Sequence, residues 1–198
     1  APDADNARGH SLVLTLDQTV QHIVEDELVR TVRAHEAKGG FAVVMEPSTG
    51  AILAMAQVPR LNSNEFGDAR AEDRKNRTVI DVFEPGSTLK ALFLAVLLDR
   101  ERVKPDEKIF CENGAWRIHD RTIHDHVPHG TLSLADVLKV SSNIGVAKLS
   151  TRLSPEEFYE GYRRFGLGEI SGVELPAESK VLMSEPYNWS KVSPMTLS

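Results

Sequence analysis

The chain has 198 residues and carries 23 Lys+Arg against 29 Asp+Glu, a formal net charge of −6. Its 41% hydrophobic and 26% charged residues are the proportions of a folded globular chain, which excludes wholesale disorder, and the acidic balance lacks the basic patch of a nucleic-acid module. The longest apolar run, Ala91 to Leu98, is far short of the ~20 residues that span a bilayer, and a single cysteine, Cys111, excludes an internal disulfide or a multi-cysteine metal site.

The chain opens Ala1-Pro2-Asp3 with neither Met nor a basic-then-apolar leader, as in a processed or excised segment whose anchor or signal lies outside it. Ser11 to Leu16 alternates like a strand, with Leu12, Leu14 and Leu16 on one side, and Asp17 stands at an N-cap. The helix that follows repeats apolar residues at Val20, Ile23, Val24, Leu28 and Val32, and Gly39-Gly40 is the expected stop. Phe41–Met45 and Ala51–Ala56, joined by Glu46-Pro47-Ser48-Thr49-Gly50, predict a hairpin whose continuous apolar strands are covered on both faces. Pro59 to Asp81 turns polar, with Asn62, Asn64 and a charged stretch from Arg70 to Arg77, and reads as a surface excursion.

After Pro85-Gly86, the residues from Ser87 to Leu98 predict a helix apolar on every side, the pattern of a helix buried inside a protein. Ile109 to His129 reads as a hairpin region around Asn113-Gly114. A helix starts near Thr131–Ser133, with Ser133 and Asp136 spaced as a capping box, and runs to Val140. Ser141-Ser142-Asn143 interrupts it before helical spacing resumes from Ile144 to Leu153. Ser154-Pro155-Glu156-Glu157 is a further helix start, and Gly166 ends that helix.

Lys90 is the only charge on the apolar helix. Burial penalises an ammonium, and the first turn of a helix disfavours a cation, so its amine should be pushed toward the neutral form. Ser87 lies three residues earlier, on the same helical face. A neutral amine beside a hydroxyl is a general base and its nucleophile, as acyl transfer needs, and the helix start offers N–H groups to an oxyanion. Two plainer readings stand beside this one: Ser87 as an N-cap, and Lys90 reaching out to water. Ser141-Ser142-Asn143 sits between helices, where side chains project from a loop, although Ser142 or Asn143 could equally cap the next helix.

Taken together, Glu84-Pro85-Gly86-Ser87-Thr88-Leu89-Lys90 and, some fifty residues on, Ser141-Ser142-Asn143 resemble the penicillin-binding proteins, in particular the class B peptidoglycan transpeptidases of cell division and elongation. The resemblance runs nearly the whole length. Leu14-Thr15-Leu16-Asp17 with Gln21, the Val43 to Ala56 hairpin, Pro59, Asn64, Asn76-Arg77 and Phe165-Gly166-Leu167-Gly168 with Leu175-Pro176 and Glu178 follow in the family's order. It implies an α+β fold like that of the serine β-lactamases, an antiparallel sheet flanked by helices with an all-helical subdomain. Residues 1–198 would be a partial transpeptidase domain, with the leading strand, helix and first hairpin over 11–58 and a mostly helical part over 59–198.

The resemblance also implies roles. Ser87 is the acylated nucleophile and Lys90 its base. Ser141 relays a proton to the leaving group, and Asn143 orients Lys90 and binds the substrate amide, so that Ser141 and Asn143 contact substrate as well. The partners implied are peptidoglycan stem peptides, β-lactams and cell-wall synthesis proteins, with no cofactor, metal or nucleic acid. The location implied is extracytoplasmic, periplasmic or cell-surface, with an anchor in the cytoplasmic membrane that this chain lacks.

One departure from the family is large. Its third motif, Lys-Thr-Gly or Lys-Ser-Gly, belongs on a strand well beyond Ser-x-Asn, yet no glycine follows Gly172, and Lys38-Gly39-Gly40 precedes Ser87 and reads as a helix stop. The expectation is a truncated piece lacking the C-terminal strands, weakly active or inactive alone, whose open hairpin edge pairs with another chain. A β-lactam-hydrolysing or -sensing acyl-serine protein and a non-catalytic scaffold module are the alternatives. His119, His124, His126 and His129, with Asp120 and Asp125, match no common zinc spacing and read as solvated loop histidines, and Gly166-Leu167-Gly168 follows a helix where a dinucleotide loop would follow a strand. Cys111 reads as a buried or half-buried structural thiol.

Overall fold

A computed structural model describes residues 10–61, 67, 72, 74–118, 121–180 and 183–189. Asn62, Asn64, His119 and Asp120, singled out above, lie outside the described residues. The chain divides into two compact units, Ala1–Asp81 with Leu175–Glu178, and Val82–Glu174 with Ser179–Ser198.

In the first unit, Asp17 caps α1 (Gln18–Ala34) by accepting the Val20 N–H at 2.9 Å. β1 (Gly40–Met45) and β2 (Ile52–Val58) form the antiparallel hairpin, in register from Gly40 opposite Val58 to Val44 opposite Ala54. Small residues let α1 lie close to it: Ala54 and Ala56 are buried, and a side chain at Gly40 would meet Val32 and Leu28 of α1 at 3.1 and 3.3 Å. The outer edge of β2 is satisfied by the segment leading into α1. Thr15 Oγ1 donates to Ile52 O, the Asp17 N–H to Leu53 O, and the Gln21 amide pairs both ways with Met55, donating to its carbonyl and accepting its N–H.

Three expectations are corrected here. Residues 11–16 form no strand, because only single bonds reach β2, and Leu12 and Leu14 are exposed. The hairpin is not covered on both faces: α1 takes the Ala54–Ala56 face, while Val43 and Met45 on the other are exposed. α1 stops at Ala34, before Gly39. Glu36 takes the left-handed conformation (φ 49°), and the Ala37 and Glu36 N–H groups bond back to Val32 and Arg33. That is the Schellman closure, made without glycine. Among the described residues the polar excursion carries a short helix, α2 (Arg77–Ile80), capped by Asn76.

The second unit is built on α3 (Leu89–Asp99), preceded by a 3₁₀ turn at Gly86–Thr88. Phe93, Leu94, Val96 and Leu97 of α3 pack with Val137, Ile144, Val146, Leu149, Phe158 and Tyr162 into one core. α6 (Pro155–Arg164) starts on a complete capping box between Ser154 and Glu157 with Pro155 at its first position, as read from the sequence. It approaches α3 at Gly161, where a Cβ would meet Val96 Cγ1 at 2.6 Å. Gly166, at φ 81°, ends it.

Two short antiparallel pairs complete the unit: β3 (Lys108–Phe110) with β6 (Thr131–Ser133), and β4 (Ala115–Ile118) with β5 (Arg121–His124). The hairpin therefore does not turn at Asn113-Gly114. Because β3 pairs with β6, Glu112–Gly114 forms a 3₁₀ turn into β4, and Gly114, at φ 95°, is pressed against Pro128, which a Cβ would meet at 2.8 Å. Ser133 caps α4 (Leu134–Lys139) by accepting the Asp136 N–H, but its hydroxyl donates to the Asp136 carboxylate and the box is not closed on the backbone. α5 (Asn143–Ser150) follows after three residues.

Candidate active site

All four residues singled out for chemistry lie in the second unit, and the way α4 stops and α5 starts positions two of them. Val140 is the last helical link of α4. The Ser141 N–H then bonds to Leu138 O at 3.1 Å and the Ser142 N–H to Val137 O at 3.0 Å, with Ser141 at φ 56°. This is a Schellman closure with serine where glycine is usual, at the cost of left-handed strain. Ser142, only 1% exposed, begins the next helix at once: its Oγ accepts the Gly145 N–H at 2.9 Å. Ser142 alone is thus spent on capping, and Ser141 and Asn143 are left on either side of it.

Both meet Lys90. Its Nζ donates to Ser141 O at 2.8 Å, to Ser141 Oγ at 3.0 Å and to Asn143 Oδ1 at 2.6 Å. The Asn143 amide is fixed from its other end, where Nδ2 donates to the His124 carbonyl at 3.0 Å. Lys90 is 2% exposed, so it does not reach out to water. Burial holds its amine below the ordinary value, and the Asp125 carboxylate pulls it part of the way back.

Ser87 lies in the exposed 3₁₀ turn one helical turn before Lys90. It caps neither that turn nor α3, so the capping reading fails. Gly86, at φ 58°, makes the turn possible, and Thr88 Oγ1 ties it down by donating to Pro85 O at 2.6 Å. No hydrogen bond joins Ser87 Oγ to Lys90 Nζ; the structure brings Lys90, Ser141 and Asn143 together and leaves the Ser87 hydroxyl open to solvent. A free site commonly tightens such contacts only when substrate is bound.

Sequence reasoning missed Asp125, read above as part of a solvated loop. Its Oδ2 accepts from Ser142 Oγ at 2.7 Å and its Oδ1 from the Ile144 N–H at 2.9 Å. No local signal marks it, since its partners lie 17 to 19 residues away. Cys111 is fully buried, as expected, with its thiol pushed up by burial and 3.4 Å from Ser142 Oγ. Among the described residues no three His, Cys, Asp or Glu side chains gather closely enough to hold a metal. No described helix is long and apolar enough to cross a membrane.

The penicillin binding protein transpeptidase domain model matches residues 40–197. The probable peptidoglycan D,D-transpeptidase PenA of Neisseria flavescens is 35% identical over 190 residues, which cover 96% of this chain and 47% of that protein. The peptidoglycan D,D-transpeptidase FtsI of Escherichia coli K12 is 35% identical over 194 residues, 98% of this chain and 33% of that one. Among solved structures, the TP domain of Burkholderia pseudomallei penicillin-binding protein 3 superposes with a TM-score of 0.83 at 30% identity, covering 96% of this chain and 53% of that one. The chain thus spans between a third and a half of the length of these curated relatives.

Proposed function

The chain belongs to the penicillin-binding protein transpeptidase family, with its α+β fold, and on that premise we propose that residues 1–198 form part of a peptidoglycan D,D-transpeptidase that cross-links stem peptides through an acyl-serine and is acylated by β-lactams. The observation that carries this reading is Lys90: an amine out of water, its nitrogen held by Ser141 and Asn143, one turn after a solvent-open serine.

Ser87 Oγ attacks the carbonyl of the scissile peptide or β-lactam while its proton passes to neutral Lys90 Nζ. Ser141 Oγ, in contact with Nζ at 3.0 Å, hands a proton on to the departing amine as the acyl-serine forms. Asn143 holds Lys90 through Oδ1 and is exposed enough to meet the substrate amide. An amine of a neighbouring stem peptide then takes the acyl group, and its proton returns by the same route. Because the relatives act on peptidoglycan, the site faces the extracytoplasmic side, in a protein anchored in the cytoplasmic membrane and working with other cell-wall synthesis proteins. Among the described residues β1 has no strand on its outer edge, which supports pairing with another strand, including that of a second copy; a strictly monomeric species in solution counts against the second copy.

The test is labelling of the full-length protein by a fluorescent penicillin, followed by mass spectrometry of the adduct. A covalent adduct on Ser87, absent in Ser87→Ala, is the expected result. An adduct elsewhere, or none, overturns the reading, and rapid turnover of the drug points to a hydrolase.

A further inference from the structure

The Ser141–Asn143 loop is held by a segment remote in sequence. His124, the last residue of β5, and Asp125 after it grip three consecutive residues at the start of α5: His124 O takes the Asn143 amide, and the Asp125 carboxylate takes Ser142 Oγ with one oxygen and the Ile144 N–H with the other. The carboxylate sits at the first turn of α5, where the helix dipole favours negative charge. Ser142 is buried and accepts the Gly145 N–H, and of the two acceptors within reach of its single proton, Cys111 Sγ at 3.4 Å and Asp125 Oδ2 at 2.7 Å, the carboxylate is the nearer and the stronger.

We propose that Asp125 is a positioning residue of the acyl-transfer site, holding Ser141 and Asn143 in register with Lys90 through Ser142 and the first turn of α5. The inference rests on the acyl-serine reading above and deepens it. Two links of the chain are direct contacts: Asp125 to Ser142 at 2.7 Å, and the neighbours of Ser142 on either side to Lys90 Nζ at 3.0 and 2.6 Å. Without the carboxylate, the Ile144 N–H loses its acceptor and the Ser142 hydroxyl keeps only the weak acceptor Cys111 Sγ, and the loop is free to turn Ser141 and Asn143 away.

Asp125 also acts on Lys90 through its charge, favouring the protonated amine against the effect of burial. On the elements that carry the partners of Lys90 and of Ser142, the titratable groups are Arg121 and His124 of β5, Asp125 and His126 just after it, Asp136 and Lys139 of α4, Lys148 of α5, and Cys111. Asp136 is engaged with Ser133, and Lys148 is paired with Glu112. The charge that works on Lys90 is that of Asp125.

The experiment compares the full-length protein with Asp125→Asn and Ser142→Ala in two readouts: the rate of acylation by a fluorescent penicillin against pH, and the titration of Lys90 followed by NMR of ¹³Cε-labelled lysine. Asp125→Asn loses both the charge and the strong acceptor. Its plateau rate should fall roughly ten- to a hundred-fold, the scale of one charge-assisted hydrogen bond lost at the reacting geometry. Its acid limb and the Lys90 titration should both move to lower pH, because the charge that favoured the protonated amine is gone. Ser142→Ala keeps the charge and cuts the link, so it should slow acylation several-fold with the limb in place. A folded Ser142→Ala with the wild-type rate overturns the proposal, and so does a Lys90 titration that stays put in Asp125→Asn. An unlabelled wild type overturns the acyl-serine reading instead, and the lysine titration still decides the role of Asp125. A purely structural cap would lower the amount of active protein in both variants and move no titration.

Discussion

Ser141 closes α4 and contacts Lys90, so substitutions there separate stability from chemistry. At φ 56° an L residue carries a penalty of ~1–2 kcal/mol that glycine does not. The greater freedom of glycine in the unfolded chain returns ~0.4–1 kcal/mol. Ser141→Gly should therefore be more stable than Ser141→Ala by ~1 kcal/mol, although the two lose the same 3.0 Å contact from Oγ to Lys90 Nζ and keep the 2.8 Å contact from the carbonyl. Both should acylate about a hundred-fold more slowly, the scale of a lost proton-transfer group. Glu101 supplies the control. It ends α3 in the same way, at φ 54° and with the Glu101 and Arg102 N–H groups bonded back to Leu98 and Leu97, but it takes no part in the site. Glu101→Gly should gain stability by a similar amount and label at the wild-type rate. Urea unfolding gives the stabilities, and the pre-steady-state rate of labelling by a fluorescent penicillin gives the chemistry. If Ser141→Ala equals or exceeds Ser141→Gly in stability, the left-handed placement of residue 141 is wrong; if either labels at full rate, Ser141 is not in the proton path.

Asn143→Asp places a charge where the amide oxygen now lies, 2.6 Å from Lys90 Nζ, and so favours the protonated amine. The acid limb of acylation should move to higher pH, opposite to the movement expected for Asp125→Asn; a pH–rate profile with an unmoved limb contradicts this. Because burial holds Lys90 below its ordinary value of 10.5, the unfolded chain binds more protons than the folded one between the two values, and Lys90 makes stability rise with pH across that window. Lys90→Met should remove that part of the slope in denaturation curves measured at a series of pH values. Gly161→Ala drives a methyl to within 2.6 and 2.7 Å of the two Val96 methyls, an overpacking of ~1–3 kcal/mol against a helix-propensity gain of ~1. The variant should be less stable by ~1–2 kcal/mol, and Val96→Ala in the same molecule should recover much of the loss; simple additivity in urea unfolding would refute the contact.

Helix starts were legible in the sequence and helix stops were not. An N-cap needs a side-chain acceptor, so Asp17, Ser133 and Ser154 announce themselves, and all three cap, although the box read between Ser133 and Asp136 is not closed. A Schellman stop needs only a backbone that turns left-handed, and this chain uses glycine for it at Gly166 but Glu36, Glu101 and Ser141 elsewhere. That is why α1 ends before Gly39. Leu12 and Leu14 show the complementary failure: alternation records a preference for a sheet face, and no strand forms where too few partners meet it.

The site was legible in the same uneven way. Lys90 stands out because a lone charge on an apolar helix has to be held by something, and the structure supplies three acceptors for it. Which residues supply them is a question of spacing. α4 stops and α5 starts with so little chain between them that one residue, Ser142, serves both as the donor that closes the first helix and as the cap of the second. Its neighbours on either side are the first whose side chains are free, and both project toward Lys90. The separation of Ser141 from Asn143 by one residue is therefore the width of a helix cap, and an anchor on Ser142, which Asp125 provides from across the unit, reaches both of them at once.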